Sequence, residues 1–216
     1  MEIQPEAIVL FQGDSVTDAG RNQKNYESLG SGYVMMTAAW FLARHAERKV
    51  RFLNRGVSGN GIEDLKNRWQ KDCLKLRPNV VSVLIGINDT LGRYFWNSPT
   101  SIEDFEENYR QILEQTRDPL RANSVRAIVL IEPFIVGIAK QQLNMREDLN
   151  PKIEVVRKLS KEFMTRLVPL DGIFKEAIKK REPSFWSQDG IHPTLAGHAL
   201  IAQSWLEVMT SDLMCL

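Results

Sequence analysis

The chain has 216 residues, 43% of them apolar and 25% charged, with a formal net charge of +1. That length and composition suit one globular domain spanning residues 1–216, and the near-neutral charge gives no case for nucleic-acid steering or a basic membrane patch. Met1-Glu2-Ile3-Gln4-Pro5-Glu6 lacks the basic and apolar regions of a signal peptide, and no apolar run approaches the roughly 20 residues that span a bilayer.

Strand and helix patterns alternate along the chain. Short apolar runs suited to buried parallel strands occur at Ala7–Gln12, Val50–Asn54, Val80–Gly86, Val125–Ile131 and, most weakly, Leu167–Asp171. Helical spacing fills the intervals. One helix is expected over Val34 to Ala46. In the next, Ile62, Leu65, Trp69, Cys73 and Leu76 recur at three or four and give one buried face. Cys73 therefore reads as a core residue. It and Cys215 are far apart, and both read as reduced thiols of a cytoplasmic protein, although pairing between them stays open. Phe105, Tyr109, Ile112 and Leu113 mark a helix with Glu103 and Asp104 in its first turn. Further helices are expected over Pro151 to Arg166, over Ile173 to Lys180, and from just after Pro193 towards Met209. Alternating strand–helix units with short connections predict an open parallel sheet with helices on both faces.

In such sheets ligands bind beyond the carboxyl ends of the strands. The first strand is followed by Gly13-Asp14-Ser15 and the second by Arg55-Gly56-Val57-Ser58-Gly59-Asn60-Gly61. The third is followed by Ile87-Asn88-Asp89-Thr90 and the fourth by Glu132-Pro133-Phe134. A serine hydroxyl is a weak nucleophile and needs a base. Of three histidines, His45 and His198 fall within expected helices, whereas His192 lies in the loop before the last helix. Asp189 precedes His192 by three residues, a spacing that lets a turn bring carboxylate to imidazole N–H and leaves the other ring nitrogen for serine. The ordinary alternatives are a helix-entry turn for Asp189–His192 and a plain turn for Gly-Asp-Ser. Ester hydrolysis also develops charge on the carbonyl oxygen. Gly59 can offer a backbone N–H, Asn88 a side-chain amide, and Ser15 its own N–H.

Four blocks appear in order: Gly13-Asp14-Ser15, Asn54-Arg55-Gly56-Val57-Ser58-Gly59-Asn60, Gly86-Ile87-Asn88-Asp89 and Asp189-Gly190-Ile191-His192-Pro193. Together they resemble the SGNH/GDSL hydrolase superfamily over nearly the whole chain. The resemblance implies a flavodoxin-like three-layer α/β/α sandwich with an open, mostly parallel five-stranded sheet. It implies Ser15 as nucleophile, His192 as base and Asp189 as its orienting acid, with Ser15, Gly59 and Asn88 as oxyanion donors and no cofactor. Val16 stands where the name-giving pattern has leucine. There is no Gly-x-Ser-x-Gly turn, which argues against Ser58 as nucleophile. The longer stretches G-Y-V-M-M-T, D-L-K-N-R-W and H-P-T-L-A-G-H are similar to intracellular bacterial acetylxylan (carbohydrate) esterases, which implies a small-acyl, carbohydrate ester as substrate.

Arg55, Tyr94, Phe95, Trp96, Phe134 and Trp186 are the candidate substrate-pocket residues, with ordinary packing or surface charge as their alternative roles. The polar segment 137–150 is a candidate lid or contact surface. Trp205, expected to be exposed, and the tail Leu213-Met214-Cys215-Leu216 are candidates for homo-oligomer contacts. Three rival readings remain at this stage. They are a lipolytic esterase of the same superfamily, a metal-dependent phosphoesterase using Asp14, Asn88, Asp89, Asp189 and His192 as ligands, and a non-catalytic ligand-binding module. The last lacks the glycine-rich phosphate cradle that such modules use.

Overall fold

A computed structural model describes residues 3–118 and 124–210. In chain order the elements are β1 (Ile8–Gly13), α1 (Ser15–Asp18), α2 (Tyr33–Arg44), β2 (Arg51–Gly56), α3 (Ile62–Asp72), β3 (Val80–Leu84), α4 (Ile87–Phe95) and α5 (Ile102–Arg117). They continue with β4 (Ala127–Ile131), α6 (Lys140–Asn144), α7 (Arg146–Glu162), β5 (Arg166–Val168), α8 (Leu170–Lys180), α9 (Pro183–Trp186) and α10 (Leu195–Thr210).

The five strands are parallel and ordered β2-β1-β3-β4-β5. Side chains alternate between the two faces, as the pleat requires. Val9 and Phe11 point into one core with Tyr33 and Phe41 of α2, Phe174 of α8, and Ile201 and Trp205 of α10. Leu10, Val81 and Val83 point into the other, with Leu65 and Trp69 of α3, Tyr109 and Ile112 of α5, and Val156 and Leu159 of α7. Burial on both faces is why these strands read as unbroken apolar runs. The chain leaves β1 for β2 on one side and returns past β1 to β3 on the other. The crevice between β1 and β3 is therefore the switch point of the sheet, where ligands are expected.

All five expected strands are present, with ends shifted by up to three residues. The helices differ more. Helix α4 has no counterpart among the expected helices. It carries Tyr94 and Phe95 in its last turn with Trp96 just beyond it, and in it Gly92 lies where the Ser98 carbonyl packs too close for a Cβ. The helix expected to start at Pro151 starts at Arg146 and carries Pro151 inside it. An interior proline costs about 3 kcal/mol. It is tolerated because Met145, Leu149 and Ile153 form a buried stripe against Ile87, Leu91 and Ile135. His45 closes α2 instead of lying within it and packs its ring on Phe41. Trp205 is fully buried, not exposed, and its indole N–H donates to Ser82 Oγ at 3.1 Å. Helix α10 is apolar around most of its surface, so its sequence does not mark which side faces the sheet. The tail 213–216 lies outside the described residues, as does Cys215. Cys73 is buried, and burial pushes its thiol pKa up.

Candidate active site

Strand β1 ends in Gly13, and Asp14 turns the chain into the short helix α1. The Asp14 carboxylate accepts the Val16 N–H at 2.9 Å, so the acid beside the serine is a helix cap. Ser15 thereby becomes the first residue of α1, just beyond the carboxyl end of β1. Its N–H lies in the first turn, where no intrahelical acceptor exists.

Facing it is the loop between α9 and α10. Asp189 shapes this loop by accepting the N–H groups of Ile191 at 2.9 Å and His192 at 2.7 Å through Oδ1. Its Oδ2 lies 2.6 Å from His192 Nδ1. The Ser187 hydroxyl donates to the His192 carbonyl at 2.8 Å, and Thr194 Oγ1 ties the start of α10 to the Phe185 carbonyl at 2.6 Å. With Nδ1 held by a carboxylate, the ring presents Nε2 outward, 3.0 Å from Ser15 Oγ. Burial raises the Asp189 carboxyl, but the His192 ring and the two backbone N–H groups more than reverse this and hold it below the usual carboxylate range. A hydroxyl, an imidazole and an ionised carboxylate in this line can pass a proton from serine to histidine while the acid supports the charged ring.

The donors expected for an oxyanion lie on the next two strand ends. Gly59 takes φ +84°, with open space where a Cβ would sit, so a ligand can approach its backbone closely. The residues on either side of it are fixed. Ser58 donates its N–H and hydroxyl to Asp18 Oδ2 at 3.3 and 3.1 Å, and the Asn60 carbonyl accepts from Asn88 Nδ2 at 2.9 Å. Asn88 spends one amide hydrogen on Asn60 and keeps the other. Asp89, next to it, accepts Ile62 N–H and so caps α3 from another element.

A cleft of about 500 Å³ opens beside the histidine, lined by Gln188, Asp189, His192, Pro193, Thr194 and Leu195. The His192 and Asp189 side chains are 56% and 55% exposed, so the site is open to solvent. Gln142, in α6, fastens the segment 137–150 to this loop. Its Oε1 accepts the N–H groups of Ile138 and Ala139, and its Nε2 donates to the Asp189 carbonyl.

The pocket candidates are dispersed. Arg55 is buried and bonds the carbonyls of Tyr26 and Asn54 at 3.1 and 2.7 Å, with its guanidinium over the Tyr26 ring, so it is not a surface charge. Phe134 is in the core, stacked on Phe174 with ring centroids 4.5 Å apart. Tyr94 donates its hydroxyl to the Asn144 carbonyl, while Phe95 and Trp96 are half-exposed at the end of α4. Trp186 packs edge-on against Phe185 and faces a second cleft with Ile173 and Leu200. Of the residues weighed as metal ligands, Asp14 and Asp89 are each turned to a backbone N–H, and Asp189 is turned to His192. Among the described residues no three His, Cys, Asp or Glu side chains gather to hold a metal, and no helix is long and apolar enough to cross a membrane.

An open α/β sheet with a serine, histidine and aspartate in line at its switch point is an arrangement used by serine hydrolases. Residues 11–200 match the GDSL-like lipase/acylhydrolase family, and the chain belongs to it. It is 32% identical over 214 residues to an acetylxylan esterase of Geobacillus stearothermophilus, with 95% of each chain covered. Among solved structures it resembles a candidate GDSL-like lipase from Parabacteroides merdae with a TM-score of 0.88 and 35% identity, covering 97% of this chain and 99% of that one. It resembles Axe2, the Geobacillus stearothermophilus acetylxylan esterase, with the same TM-score of 0.88 and 30% identity, covering 97% and 96%. The chain is a carboxylic ester hydrolase.

Proposed function

We propose that this esterase removes small acyl groups, acetyl above all, from short acetylated sugars through an acyl-enzyme on Ser15. The observation that carries the reading is the unbroken line from Ser15 Oγ to His192 Nε2 at 3.0 Å and from His192 Nδ1 to Asp189 Oδ2 at 2.6 Å. Ser15 Oγ attacks the ester carbonyl carbon while its proton passes to His192 Nε2. The carbonyl oxygen takes the negative charge and is met by the N–H groups of Ser15 and Gly59 and by the Asn88 amide. The bond to the alcohol breaks, and the alcohol leaves with the proton from His192. Water then attacks the acyl carbon and gives a proton to His192, which returns it to Ser15 as the acid departs.

Axe2 supports the choice of substrate, being an acetyl-xylooligosaccharide esterase, and its alanine variants at a serine and at a histidine are catalytic mutants. The open cleft beside His192 suits a hydrophilic alcohol better than a long acyl chain, which needs an enclosed apolar tunnel. The test compares p-nitrophenyl esters of increasing acyl length with acetylated xylo-oligosaccharides. Acetate release from the sugars, together with a kcat/KM that falls steeply beyond short acyl chains, is expected. A preference for long acyl chains would replace this reading with the lipolytic one.

A further inference from the structure

Arg68, on α3, has a guanidinium that reaches three segments of the site, with its side chain only 15% exposed. Its Nε donates to Asn60 Oδ1 at 2.8 Å. Its Nη1 donates to Gln12 Oε1 and to the Arg55 carbonyl, each at 2.8 Å. Its Nη2 donates to the Gly13 carbonyl at 3.1 Å, and Asp72 Oδ2 lies 3.4 Å from Nη1. Gln12 is itself held in place by its amide, which donates to the Asp72 carbonyl at 2.6 Å.

These acceptors are not a random surface set. Gln12 and Gly13 end the strand that delivers Ser15, Arg55 belongs to the end of β2, and Asn60 follows Gly59. The near side of the Gly59 turn is tied to the Ser15 segment by Val57 N–H on the Gly13 carbonyl at 3.0 Å and by Asp18 on Ser58. The far side is tied to β1 through the Arg68 fork. We infer that Arg68 is a positioning residue that fixes the distance between the Ser15 hydroxyl and the Gly59 N–H. The inference rests on the reading of Ser15 and Gly59 given above. A planar guanidinium suits this task because its donors diverge at fixed angles, whereas a lysine ammonium offers one point charge on a flexible stem. The buried fork holds the donor in place before substrate arrives, which is where most of an oxyanion donor's effect originates.

The experiment measures kcat, KM and melting temperature for Arg68→Ala, Arg68→Lys and Ser15→Ala with p-nitrophenyl acetate, and the affinity of each for a small boronic acid, whose tetrahedral adduct mimics the reacting carbon. Misplacing a reacting group by about 1 Å costs roughly 10²-fold in rate. Arg68→Ala is therefore expected to lose about 10- to 100-fold in kcat with KM within about threefold, and to bind the boronic acid more weakly in the same proportion. Added guanidinium ion should recover part of the Arg68→Ala rate, and Arg68→Lys should recover little. If Arg68→Ala does not fold, Asn60→Ala removes the arm next to Gly59 and should lower kcat by a smaller factor in the same direction. A lower melting temperature with unchanged kcat and boronic acid affinity, in an enzyme that Ser15→Ala inactivates, would overturn this inference alone. Activity retained in Ser15→Ala would overturn both it and the reading of the site.

Discussion

The amide of Asn88 donates to the carbonyl of Asn60 at 2.9 Å, so one expected oxyanion donor is bonded to the residue beside the other. Asn88→Ala removes a donor and also releases the Gly59 turn. Loss of one such donor costs about 3–4 kcal/mol in the transition state. The expected outcome is a kcat lower by about 10²- to 10³-fold with little change in KM, read by steady-state kinetics on the folded variant.

Gln142 acts on the other half of the site. It links the start of α6 to the Asp189 carbonyl, and so to the loop that aims His192. A hydrogen bond of this kind contributes about 0.5–1.5 kcal/mol. Gln142→Ala should therefore lower kcat/KM by about two- to tenfold while leaving the melting temperature near that of the wild type. Parallel kinetic and thermal measurements check both parts.

Asp14 makes stability depend on pH. Burial pushes its carboxyl up to about 7, the nearby Asp89 adds to the rise, and the Val16 N–H opposes it. The unfolded chain releases the same proton near pH 4. Between these values the folded protein holds a proton that the unfolded chain has lost. The stability from this group is thus fully present below about pH 4 and is lost as pH rises towards about 7, at up to about 1.4 kcal/mol per pH unit. Asp14→Asn keeps an acceptor for the cap and carries no titrating proton. Urea unfolding of this variant should show a flatter pH dependence than the wild type across that window.

Trp205 holds α10 against the sheet from a fully buried position, with the Phe11 ring tilted against it and ring centroids 5.2 Å apart. Trp205→Ala should destabilise the fold by about 3–5 kcal/mol through lost burial and the cavity left behind. Denaturant unfolding measures this directly.

The strands were legible because residues buried on both sheet faces leave continuous apolar runs, as in Val80-Val81-Ser82-Val83-Leu84. Helices α3 and α5 were legible because one face is apolar and the other charged. Helix α4 was not. Asn88-Asp89 after a strand looks like a turn, and Gly92 breaks the helical pattern for the sake of Ser98. The start of α7 was missed because a proline suits a first turn, and its tolerance inside the helix depends on packing that sequence does not show. At the site, Ser15, Gly59, Asn88, Asp189 and His192 stand out because each follows a strand or precedes a helix in short polar loops. Arg68 and Gln142 left no such mark. A polar side chain that reaches inward from a helix looks the same in sequence as one that faces water. Arg55 and Phe134 lie in strand-end segments too, yet their side chains turn to internal packing, which position along the chain does not reveal.

The central claim is that Ser15 carries the acyl group. The most direct test is the rate of p-nitrophenyl acetate hydrolysis by Ser15→Ala, with circular dichroism to confirm an unchanged fold. A fall in kcat of at least about 10⁴-fold is the result this account predicts. A folded variant within about tenfold of the wild type would contradict it, because Ser15 would then not be the group that attacks the ester.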